Sequence, residues 1–474
     1  MDLSFDNLHT VRPGSRRIRG GGHAGLLALM NATLWLDAAQ SQTSGGVLKN
    51  LGTGGSALDA QYGSTTGADT NDPLKLTWSG TNYLYLPANA QFNFAQSPFI
   101  PAYNFAGDFE LIARVNCDDW NTGGQGIINR DGAAPSRAWC WFLQSAGILR
   151  LTVSTDGTAV NSMLSTTDVR TVIPNGTDGW VRCTYVAATG QTTFYASASG
   201  SSVEPTSWTS LGGQTGGAAV SFAGTAALDV GNRSTNALPF SGRFYRAIVR
   251  NGIGGTTVFD ADFTKGITSG GQTTFVESSS NAATVTINRA TSGRKSVAVT
   301  RTCLLFGTDD YLQVADNALI NFGATDSFTA LVVTRDYGTP TASARFIDKW
   351  GASGAGYAIT HTGTLAQLTA FTEDTNLVQF QQTTQAYTFG QISTLGLVFD
   401  RTAGSVKSYV NGVASAGASI AAAVSLTNAN PLRVGANATS VVAVGDFELL
   451  GVAIWRRALS TTEIAAVGNL YGTN

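Results

Sequence analysis

Carboxylates and histidines build most hydrolytic sites, and this sequence places few of them in suitable patterns. It has three histidines, His9, His23 and His361, and no G-x-S-x-G motif accompanies any of them. A Ser-His-Asp site would have to use His361, which we instead interpret as a surface residue of a strand. Glycoside hydrolysis needs two carboxylates on either side of a sugar bond. The six glutamates are Glu110, Glu204, Glu277, Glu373, Glu448 and Glu463, and they are scattered along the chain.

Exposed aromatic rings offer a different chemistry, the stacking of sugar rings. Four aromatic residues lie in or beside segments rich in Gly, Ser and Asn, namely Trp120, Trp208, Trp350 and Tyr357. An exposed ring in a loop is informative because large apolar surfaces are usually buried or used for binding. We predict that these four residues bind carbohydrate, with Trp350 in D-K-W-G-A-S-G-A-G the most loop-like. The alternative is that the rings cap the ends of a β-sandwich.

Metal and thiol chemistry have weaker signals. Asp118 and Asp119 follow a strand-like segment, and loop aspartates can supply the several oxygen ligands that calcium requires. We take them as candidate metal ligands, with the capping of a turn as the alternative. The four cysteines, Cys117, Cys140, Cys183 and Cys303, contain no C-x-x-C pair, which argues against zinc. We predict that they are free buried thiols.

The elements that must position these residues are β-strands. Phe109, Leu111, Ala113 and Val115 alternate with other residues at the period of two that defines one face of a strand. Asn411-Gly412 is a strong signal for a two-residue hairpin turn. Near the C-terminus, Ser460 and Glu463 form the S-x-x-E pattern of a capping box, which predicts a short helix after the last strand.

An internal repeat extends over most of the chain. Four segments of the first half match four segments of the second half in the same order. The pairs are 80–94 with 307–322, 107–115 with 325–334, 126–132 with 345–351, and 228–251 with 432–456. The first pair is 307 − 80 = 227 residues apart and the last is 432 − 228 = 204, so the first copy holds 23 more residues. We predict that these extra residues lie in loops.

The repeat predicts two domains. We place an N-terminal arm at 1–32, a first β-sandwich at 33–265, connector strands at 266–301 and a second β-sandwich at 302–474. The connector is similar in composition to the segment before the first copy. We therefore expect each sandwich to be entered by its own equivalent pair of strands.

The N-terminal arm carries a basic cluster around Pro13 and Gly14. The cluster consists of Arg12, Arg16, Arg17 and Arg19. Such a cluster favours docking onto another molecule, and the alternative is a solvated tail. We predict that these arginines anchor the protein in an assembly.

Three segments of the second copy together resemble the C-terminal half of a laminin-G or concanavalin-A-like jelly roll. They are Y-V-N-G at 409–412, L-R-V-G-A at 432–436 and G-D-F-E-L-L-G-V-A-I-W-R-R-A-L-S-T-T-E-I at 445–464. The resemblance implies an all-β fold of two tandem antiparallel β-sandwiches with an N-terminal arm and a short C-terminal helix. It also implies that one calcium ion at the sandwich rim is the cofactor to consider. Glycosidases of this shape carry E-x-D-x-x-E on one strand, which this sequence lacks, so we expect no enzymatic activity.

Composition excludes several other classes. Hydrophobic residues make up 43% and charged residues 13% of the chain, and there are 55 glycines, which favours an all-β protein with tight turns over a disordered chain. A net charge of −2 gives no overall attraction to nucleic acid. No apolar run reaches the ~18 residues needed for membrane insertion. The N-terminal M-D-L-S-F-D lacks the basic and apolar regions of a secretory signal.

The Gly/Ser/Thr/Ala-rich composition and the strings L-W-L-D-A (34–38) and V-F-D-A-D-F-T (258–264) resemble minor tail proteins of tailed bacteriophages that infect actinobacteria. This resemblance implies a non-enzymatic virion protein of the phage tail, made in the host cytoplasm and forming homo-oligomers. Its partners would be other virion proteins and host cell-wall glycans. The alternatives are a capsid decoration or fibre protein, a jelly-roll protein that binds or hydrolyses glycans, and a bacterial surface adhesin. An adhesin should carry a signal or wall anchor.

Overall fold

The protein folds into two β-sheet units, one inserted into the other along the chain. The structure is a computed structural model that describes residues 31–473 apart from 89–91, 218, 234–237, 292, 339–342, 351–353, 363–365 and 441–444. Thr81–Thr300 form the inserted sandwich. The described residues of the two flanking segments, 31–80 and 301–473, together form the split sandwich.

The strands are numbered along the chain. Those before the insertion are β1 (Leu34–Asp37), β2 (Thr43–Ser44), β3 (Val47–Leu48), β4 (Ala60–Tyr62) and β5 (Leu74–Leu76). Those of the inserted sandwich are β6 (Tyr83–Leu86), β7 (Phe94–Ser97), β8 (Phe109–Cys117), β9 (Gln125–Asp131), β10 (Arg137–Ser145), β11 (Ile148–Val153), β12 (Asn161–Leu164), β13 (Gly179–Val186), β14 (Gln191–Ser197), β15 (Thr209–Thr215), β16 (Leu228–Val230), β17 (Gly242–Asn251), β18 (Thr256–Asp262), β19 (Thr274–Val276), β20 (Thr284–Asn288) and β21 (Val297–Val299).

The remaining strands follow the insertion, and two short α-helices accompany the strands in the described part of the chain. The strands are β22 (Cys303–Leu305), β23 (Leu312–Val314), β24 (Phe328–Asp336), β25 (Ser343–Asp348), β26 (Gly356–Thr362), β27 (Gln367–Glu373), β28 (Gln379–Ala386), β29 (Ile392–Asp400), β30 (Ser405–Val410), β31 (Val413–Ala414), β32 (Ala418–Ser419), β33 (Leu432–Val434) and β34 (Phe447–Trp455). The helices are α1 (Phe263–Gly266) and α2 (Thr461–Tyr471).

Each sandwich consists of a back sheet and a front sheet with antiparallel pairing. In the inserted sandwich the back sheet has the order β15-β14-β13-β8-β17-β6-β21 with β18 beside β17, and the front sheet has the order β12-β11-β10-β9-β16-β7-β20-β19. In the split sandwich the back sheet has the order β31-β30-β29-β24-β34-β22-β5 with β1 beside β34 and β32 beside β30. Its front sheet has the order β2-β3-β4-β23-β33-β25-β26-β27-β28. The predicted all-β fold class of two jelly-roll sandwiches is confirmed.

The apolar residues of each strand meet in one core per sandwich. Phe109, Leu111, Ala113 and Val115 all face the core of the inserted sandwich, as their alternation predicts. Such alternate positions remove large apolar areas from water, at about 25 cal/mol per Å² buried. The residues between them, Glu110, Ile112 and Arg114, point to the opposite face of the strand.

The local signals near the C-terminus act as predicted. Ser460 accepts a hydrogen bond from the Glu463 backbone N–H at 3.3 Å while the Glu463 side chain accepts from the Ser460 N–H at 2.9 Å, which is the capping box of α2. Asn411 and Gly412 have φ values of 49° and 80°, as the turn between β30 and β31 requires.

The domain boundaries differ from the sequence-based ones. The segment 33–80, placed in the first sandwich, belongs to the second, because β1 pairs with β34, β4 with β23 and β5 with β22. The connector 266–301 belongs to the first sandwich, because β20 pairs with β7 and β21 with β6. The segments 33–80 and 266–301 have the same pattern of apolar residues. This pattern alone therefore does not show which of the two sandwiches each segment joins. The arm, 1–32, lies almost wholly outside the described residues.

The internal repeat is confirmed in three of its four matches. β8 corresponds to β24, β9 to β25, and β16 and β17 to β33 and β34, since each pair has the same neighbours in its sheet. The match of 80–94 with 307–322 is out of register. β7 and β23 hold the equivalent places in the front sheets, so 94–105 corresponds to 311–322.

Candidate functional site

A row of polar and aromatic residues crosses the outward face of the front sheet in the split sandwich. Each member is the Cα partner of the next, in the order Gln61, Gln313, Arg433, Asp348, Ala358 and Phe371. Directly paired residues of adjacent strands point to the same side of a sheet. Their neighbours along the strands, such as Leu312, Leu432 and Ala370, lie in the core. The row therefore points away from the core, and we call it the split-sandwich row.

A buried carboxylate stands at the centre of this row. Asp348 is the last residue of β25 and is fully buried. Its Oδ1 accepts a hydrogen bond from the Trp350 backbone N–H at 2.8 Å, and the Nε of Arg345 lies 3.2 Å from its Oδ2. A buried charge requires partners of this kind. Asp348 thereby fixes the positions of Arg345 and of the chain at Trp350.

Two rings and a guanidinium pack together beside Asp348. The rings of Trp350 and Phe371 meet edge to face with centroids 5.1 Å apart. The Arg345 guanidinium lies 5.6 Å from the Trp350 ring and 5.3 Å from the Phe371 ring, within the range of cation–π attraction. Burial lowers the pKa of Arg345 despite the nearby Asp348. The Trp350 indole nitrogen is buried and has no hydrogen-bond partner within the described residues.

A second arginine lies on the other side of Asp348. Arg433 donates from Nε to Gln313 Oε1 at 2.9 Å and from Nη1 to the Asn437 carbonyl at 3.0 Å. Its guanidinium lies 4.5 Å from the centroid of the Tyr311 ring. Burial lowers the pKa of Arg433. These contacts hold the guanidinium in one place above the sheet.

The chain that carries Trp350 is braced by a buried lysine. Lys349 is fully buried, and its Nζ donates to Asp316 Oδ1 at 2.8 Å and to the Asn430 carbonyl at 2.7 Å. Asn430 Nδ2 in turn donates to the Trp350 carbonyl at 2.8 Å. Residues with locked surroundings lose little conformational entropy on binding a ligand. The row is thus a preformed surface.

The split-sandwich row combines the groups that recognise sugars. Arginines donate hydrogen bonds, glutamines donate and accept them, and the half-buried Trp350 ring offers an apolar face. Asp348 and Phe371 are themselves buried and hold Arg345 and Trp350 in place. The row itself contains one carboxylate, Asp348, whereas glycoside hydrolysis uses two placed about 5–9.5 Å apart. The arrangement therefore suits binding better than hydrolysis.

The inserted sandwich has an equivalent row with different chemistry. Its members are Thr286, Gln96, Asp229, Asn129, Cys140 and Thr152. Gln96 Nε2 donates to Asp229 Oδ1 at 2.8 Å, and the Cys140 thiol donates to Asn129 Oδ1 at 2.9 Å. Burial raises the pKa of Cys140 well above its ordinary value, which keeps the thiol protonated. This row has no aromatic member, since Thr152 stands where the split sandwich has Phe371.

Of the four aromatic residues predicted to bind carbohydrate, the structure brings only Trp350 to this surface. Trp120 is fully buried in the core of the inserted sandwich, so its prediction as a binding platform is wrong. Tyr357 is also wrong, because it packs against Phe328 in the core and donates its hydroxyl to the Ile320 carbonyl at 3.1 Å. Trp208 is half-buried on the outward face of the other sandwich's back sheet.

The two aspartates proposed as metal ligands are engaged in hydrogen bonds. Asp118 Oδ2 accepts from the Tyr85 hydroxyl at 3.0 Å and from the Ser241 hydroxyl at 2.8 Å. Asp119 Oδ1 accepts from the Asn121 backbone N–H at 2.9 Å, as a turn-capping aspartate does. Within the described ranges, no group of three or more His, Cys, Asp or Glu residues is arranged to hold a metal ion. Calcium at this rim stays a prediction.

His361 is buried, so its interpretation as a surface residue is wrong. Its Nδ1 lies 2.8 Å from Asp336 Oδ2, which also accepts a hydrogen bond from the Tyr387 hydroxyl. The imidazole stacks on Phe389 with ring centroids 5.4 Å apart. All four cysteines are buried and form no disulfide, as predicted.

Sequence reasoning missed four members of the site, Arg345, Asp348, Phe371 and Arg433. A signal existed for three of them, because Arg345, Asp348 and Arg433 lie among apolar residues in the repeat segments 345–351 and 432–456. A charged or large aromatic residue at an outward position of a strand is a candidate for binding. The arm residues Arg12, Arg16, Arg17 and Arg19 lie outside the described residues, so the anchor stays a prediction.

Comparison with known proteins supports the fold. Residues 306–465 match the laminin G type of the concanavalin A-like lectin/glucanase superfamily. A comparison with curated protein sequences gives no significant match. No helix within the described ranges is long and apolar enough to cross a bilayer.

Three toxin domains are among the solved structures that match part of this chain. The binding domain of Paraclostridial Mosquitocidal Protein 1 is 15% identical over 36% of this chain and 44% of its own, with a TM-score of 0.31. The binding domain of botulinum neurotoxin serotype G is 12% identical over 37% and 44%, with a TM-score of 0.31. The ligand-binding domain of serotype D, solved with N-acetylneuraminic acid, is 13% identical over 34% and 40%, with a TM-score of 0.28. The chain spans less than half of the length of each of these toxin domains.

Proposed function

We propose that the protein binds glycans without cleaving them, through the split-sandwich row. The observation that carries this proposal is the pairing of Trp350 and Phe371 beside Arg345, Asp348 and Arg433 on an outward sheet face. Rings supply apolar contact to the faces of a sugar, and the fixed charged groups supply directional hydrogen bonds. The match of residues 306–465 to a superfamily of lectins and glucanases agrees with this role.

The absence of cleavage rests on the single carboxylate in the row. A retaining or inverting glycosidase requires a second acid at a defined distance. The protein is accordingly proposed to be a binding protein with no cofactor in its glycan site. Incubation of the protein with cell-wall polysaccharide should release no new reducing ends, and a protein-dependent release would contradict this part of the proposal.

Binding is tested with purified actinobacterial cell-wall sacculi as the probe. Arg433→Ala, which removes a donor, and Phe371→Ala, which removes the buried ring packed against Trp350, should each lower the affinity about tenfold or more, since central groups of a binding site contribute ~1–3 kcal/mol. The matched control is Thr152→Ala, at the equivalent position of the inserted sandwich, and it should bind like the wild-type chain. Urea unfolding identifies any variant that has lost its fold. Wild-type binding by both folded variants would refute the site.

The finer role that we propose is a minor tail protein of a bacteriophage virion, in which this face contacts the host cell wall. The composition and the strings L-W-L-D-A and V-F-D-A-D-F-T support this role. Antibody labelling of purified particles in the electron microscope tests the location. Label on the tail is expected, whereas label on the head would favour a capsid decoration protein, and unlabelled particles that contain no copy by mass spectrometry would refute a virion role.

A further inference from the structure

Two segments of the chain form equivalent sets of strands. We call β1–β5 the N-terminal strand set and β18–β21 the central strand set. Leu34 of β1 pairs with Ile454 of β34, and Phe259 of β18 pairs with Val249 at the equivalent position of β17. Gln61 of β4 pairs with Gln313 as Thr286 of β20 pairs with Gln96. The spacing varies by only a few residues, since 259 − 34 = 225, 286 − 61 = 225 and 275 − 48 = 227, so the sets are two copies of one structural element.

The core contributions of the two sets also correspond. Leu48, Ala60 and Tyr62 of the N-terminal set are buried in the core of the split sandwich. At the equivalent places, Phe275, Val285 and Ile287 of the central set are buried in the core of the inserted sandwich. The aspartates that end β1 and β18 share a further role, because Asp37 and Asp262 each accept hydrogen bonds from backbone N–H groups two or three residues later.

Each strand set precedes one group of jelly-roll strands along the chain but completes the other group. We call β6–β17 the inserted roll and β22–β34 the split roll. The N-terminal set precedes the inserted roll but pairs with β34, β23 and β22 of the split roll. The central set precedes the split roll but pairs with β17, β7 and β6 of the inserted roll. The two repeats have therefore exchanged their first strands within one chain.

The connections between sets and rolls are long enough for more than one arrangement. Residues 77–82 join β5 to β6, and residues 300–302 join β21 to β22. Loops of six and three residues are sufficient to turn a β-hairpin. Each set could thus pair with the edge strands of the roll that follows it. The observed pairing is therefore one of several possible arrangements of the same strands. Such interchangeable elements are the basis of domain swapping between copies.

We propose that the split roll accepts the N-terminal strand set of a second copy of this chain, so that copies are linked by exchanged strands. The partner is another copy because, among the strands that the structure describes, only the N-terminal and central sets have the pairing and core residues that this edge requires. Pairing of the N-terminal set with the split roll of its own chain competes with pairing between copies, because the two parts of one chain have a high effective concentration. Exchange between copies consequently increases with protein concentration during folding.

Cross-linking with engineered cysteines tests this proposal, because Gln61 and Gln313 are direct partners on the outward face. The four native cysteines are buried and do not compete in the folded protein. The doubly substituted chain Q61C/Q313C should be linked within one chain by a short bismaleimide. Differently tagged Q61C and Q313C chains, unfolded and refolded together, should give a covalent heterodimer whose yield rises with concentration.

Two further pairs make the result decisive. Thr402 lies in the exposed turn between β29 and β30, which pairs with neither strand set, so Q61C mixed with T402C should give no heterodimer. Gln96 is the equivalent of Gln313 in the inserted roll, and Q61C/Q96C should not be linked within one chain. The proposal is overturned if Q61C and Q313C chains form no heterodimer at any concentration while Q61C/Q313C links efficiently. It is also overturned if Q61C/Q96C links in place of Q61C/Q313C, because the repeats would then be closed on themselves.

Discussion

The two sandwiches share their strand order but cover the outward face of the back sheet in different ways. In the split sandwich, helix α2 places Ile464 and Val467 against Trp455 and Leu331 in an apolar layer. In the inserted sandwich, residues 198–208 form a strap over the same face. The strap is held by the hydrogen bond from Trp180 Nε1 to the Ser201 carbonyl at 3.0 Å and by the ion pair of Glu204 with Arg250 at 2.6 Å. Trp208 at its end also packs against Ile112, Trp180 and Ile248.

The difference is clear at one cross-strand pair. Trp455 pairs with Thr329 in the split sandwich, whereas Arg250 pairs with Glu110 at the equivalent place in the inserted sandwich. Glu110 is fully buried and also contacts Arg182, so its charge is compensated twice. The inward positions of both ladders remain apolar. The core thus restricts the inward residues of a strand to apolar types. The outward residues can differ, and they determine whether the segment that covers the sheet is held by apolar contacts or by ion pairs.

The largest expected effect comes from the apolar cover. Trp455→Ala removes a fully buried ring, and large-to-small changes of this kind lower the free energy of unfolding by about 3–5 kcal/mol. Urea unfolding followed by near-UV circular dichroism should show a weakened split sandwich. The matched variant is Arg250→Ala, which should cost less because the Arg250 side chain is 19% exposed and Glu110 keeps Arg182. Equal losses in the free energy of unfolding for the two variants would mean that the two sandwiches are not covered in different ways.

A smaller effect is expected from the ionic cover. Glu110→Gln leaves Arg182 and Arg250 without their buried carboxylate, and the loss of charge-assisted hydrogen bonds should lower the free energy of unfolding by about 1.5–3 kcal/mol. The same change in an Arg250→Ala background should cost less, because coupled residues are not additive. A double-mutant cycle by urea unfolding measures the coupling. Strict additivity would show that Glu110 and Arg250 stabilise the sheet independently.

The smallest effect concerns the cap of α2 in acid. The ion pair with Arg457, together with hydrogen bonds from Ser460, lowers the pKa of Glu463 from 4.5 to about 2. Because the folded pKa is the lower one, the stabilisation is complete above pH 4.5 and is lost as the pH falls towards 2. Glu463→Gln should cost about 0.5–1 kcal/mol at pH 7, since the side chain is partly exposed and its charge is screened. The cost should disappear near pH 2, and a cost that is the same at both pH values would exclude this origin.

Much of this fold could be predicted from local patterns. The alternation in β8, the turn at Asn411-Gly412 and the capping box at Ser460 depend on a few neighbouring residues, and all three form as expected. The domain boundaries could not be predicted in this way. The N-terminal and central strand sets offer the same apolar pattern to two similar edges, and the choice depends on contacts more than 400 residues apart, such as Leu34 with Ile454.

The candidate site was predicted only in part for a similar reason. Trp350 was identified because its neighbours are small and polar, but Trp120 and Tyr357 have similar neighbours and are buried. Burial at the end of a strand depends on which loops fold over it, and that is a property of the whole sandwich. Arg433 and Asp348 become a site only when β33 lies beside β25.

The exchange of strand sets also has a consequence for the order in which the ribosome makes this chain. β5 ends at Leu76 and its acceptor β22 begins at Cys303, so 303 − 76 = 227 residues must be added between them. At ~5–20 residues per second, the N-terminal set waits about 10–45 s for its partner. Meanwhile the inserted roll is finished before the central set emerges, and its open edge is the first one that the waiting strands meet. Translation speed and helper proteins that bind nascent chains therefore bear on which arrangement a newly made molecule adopts.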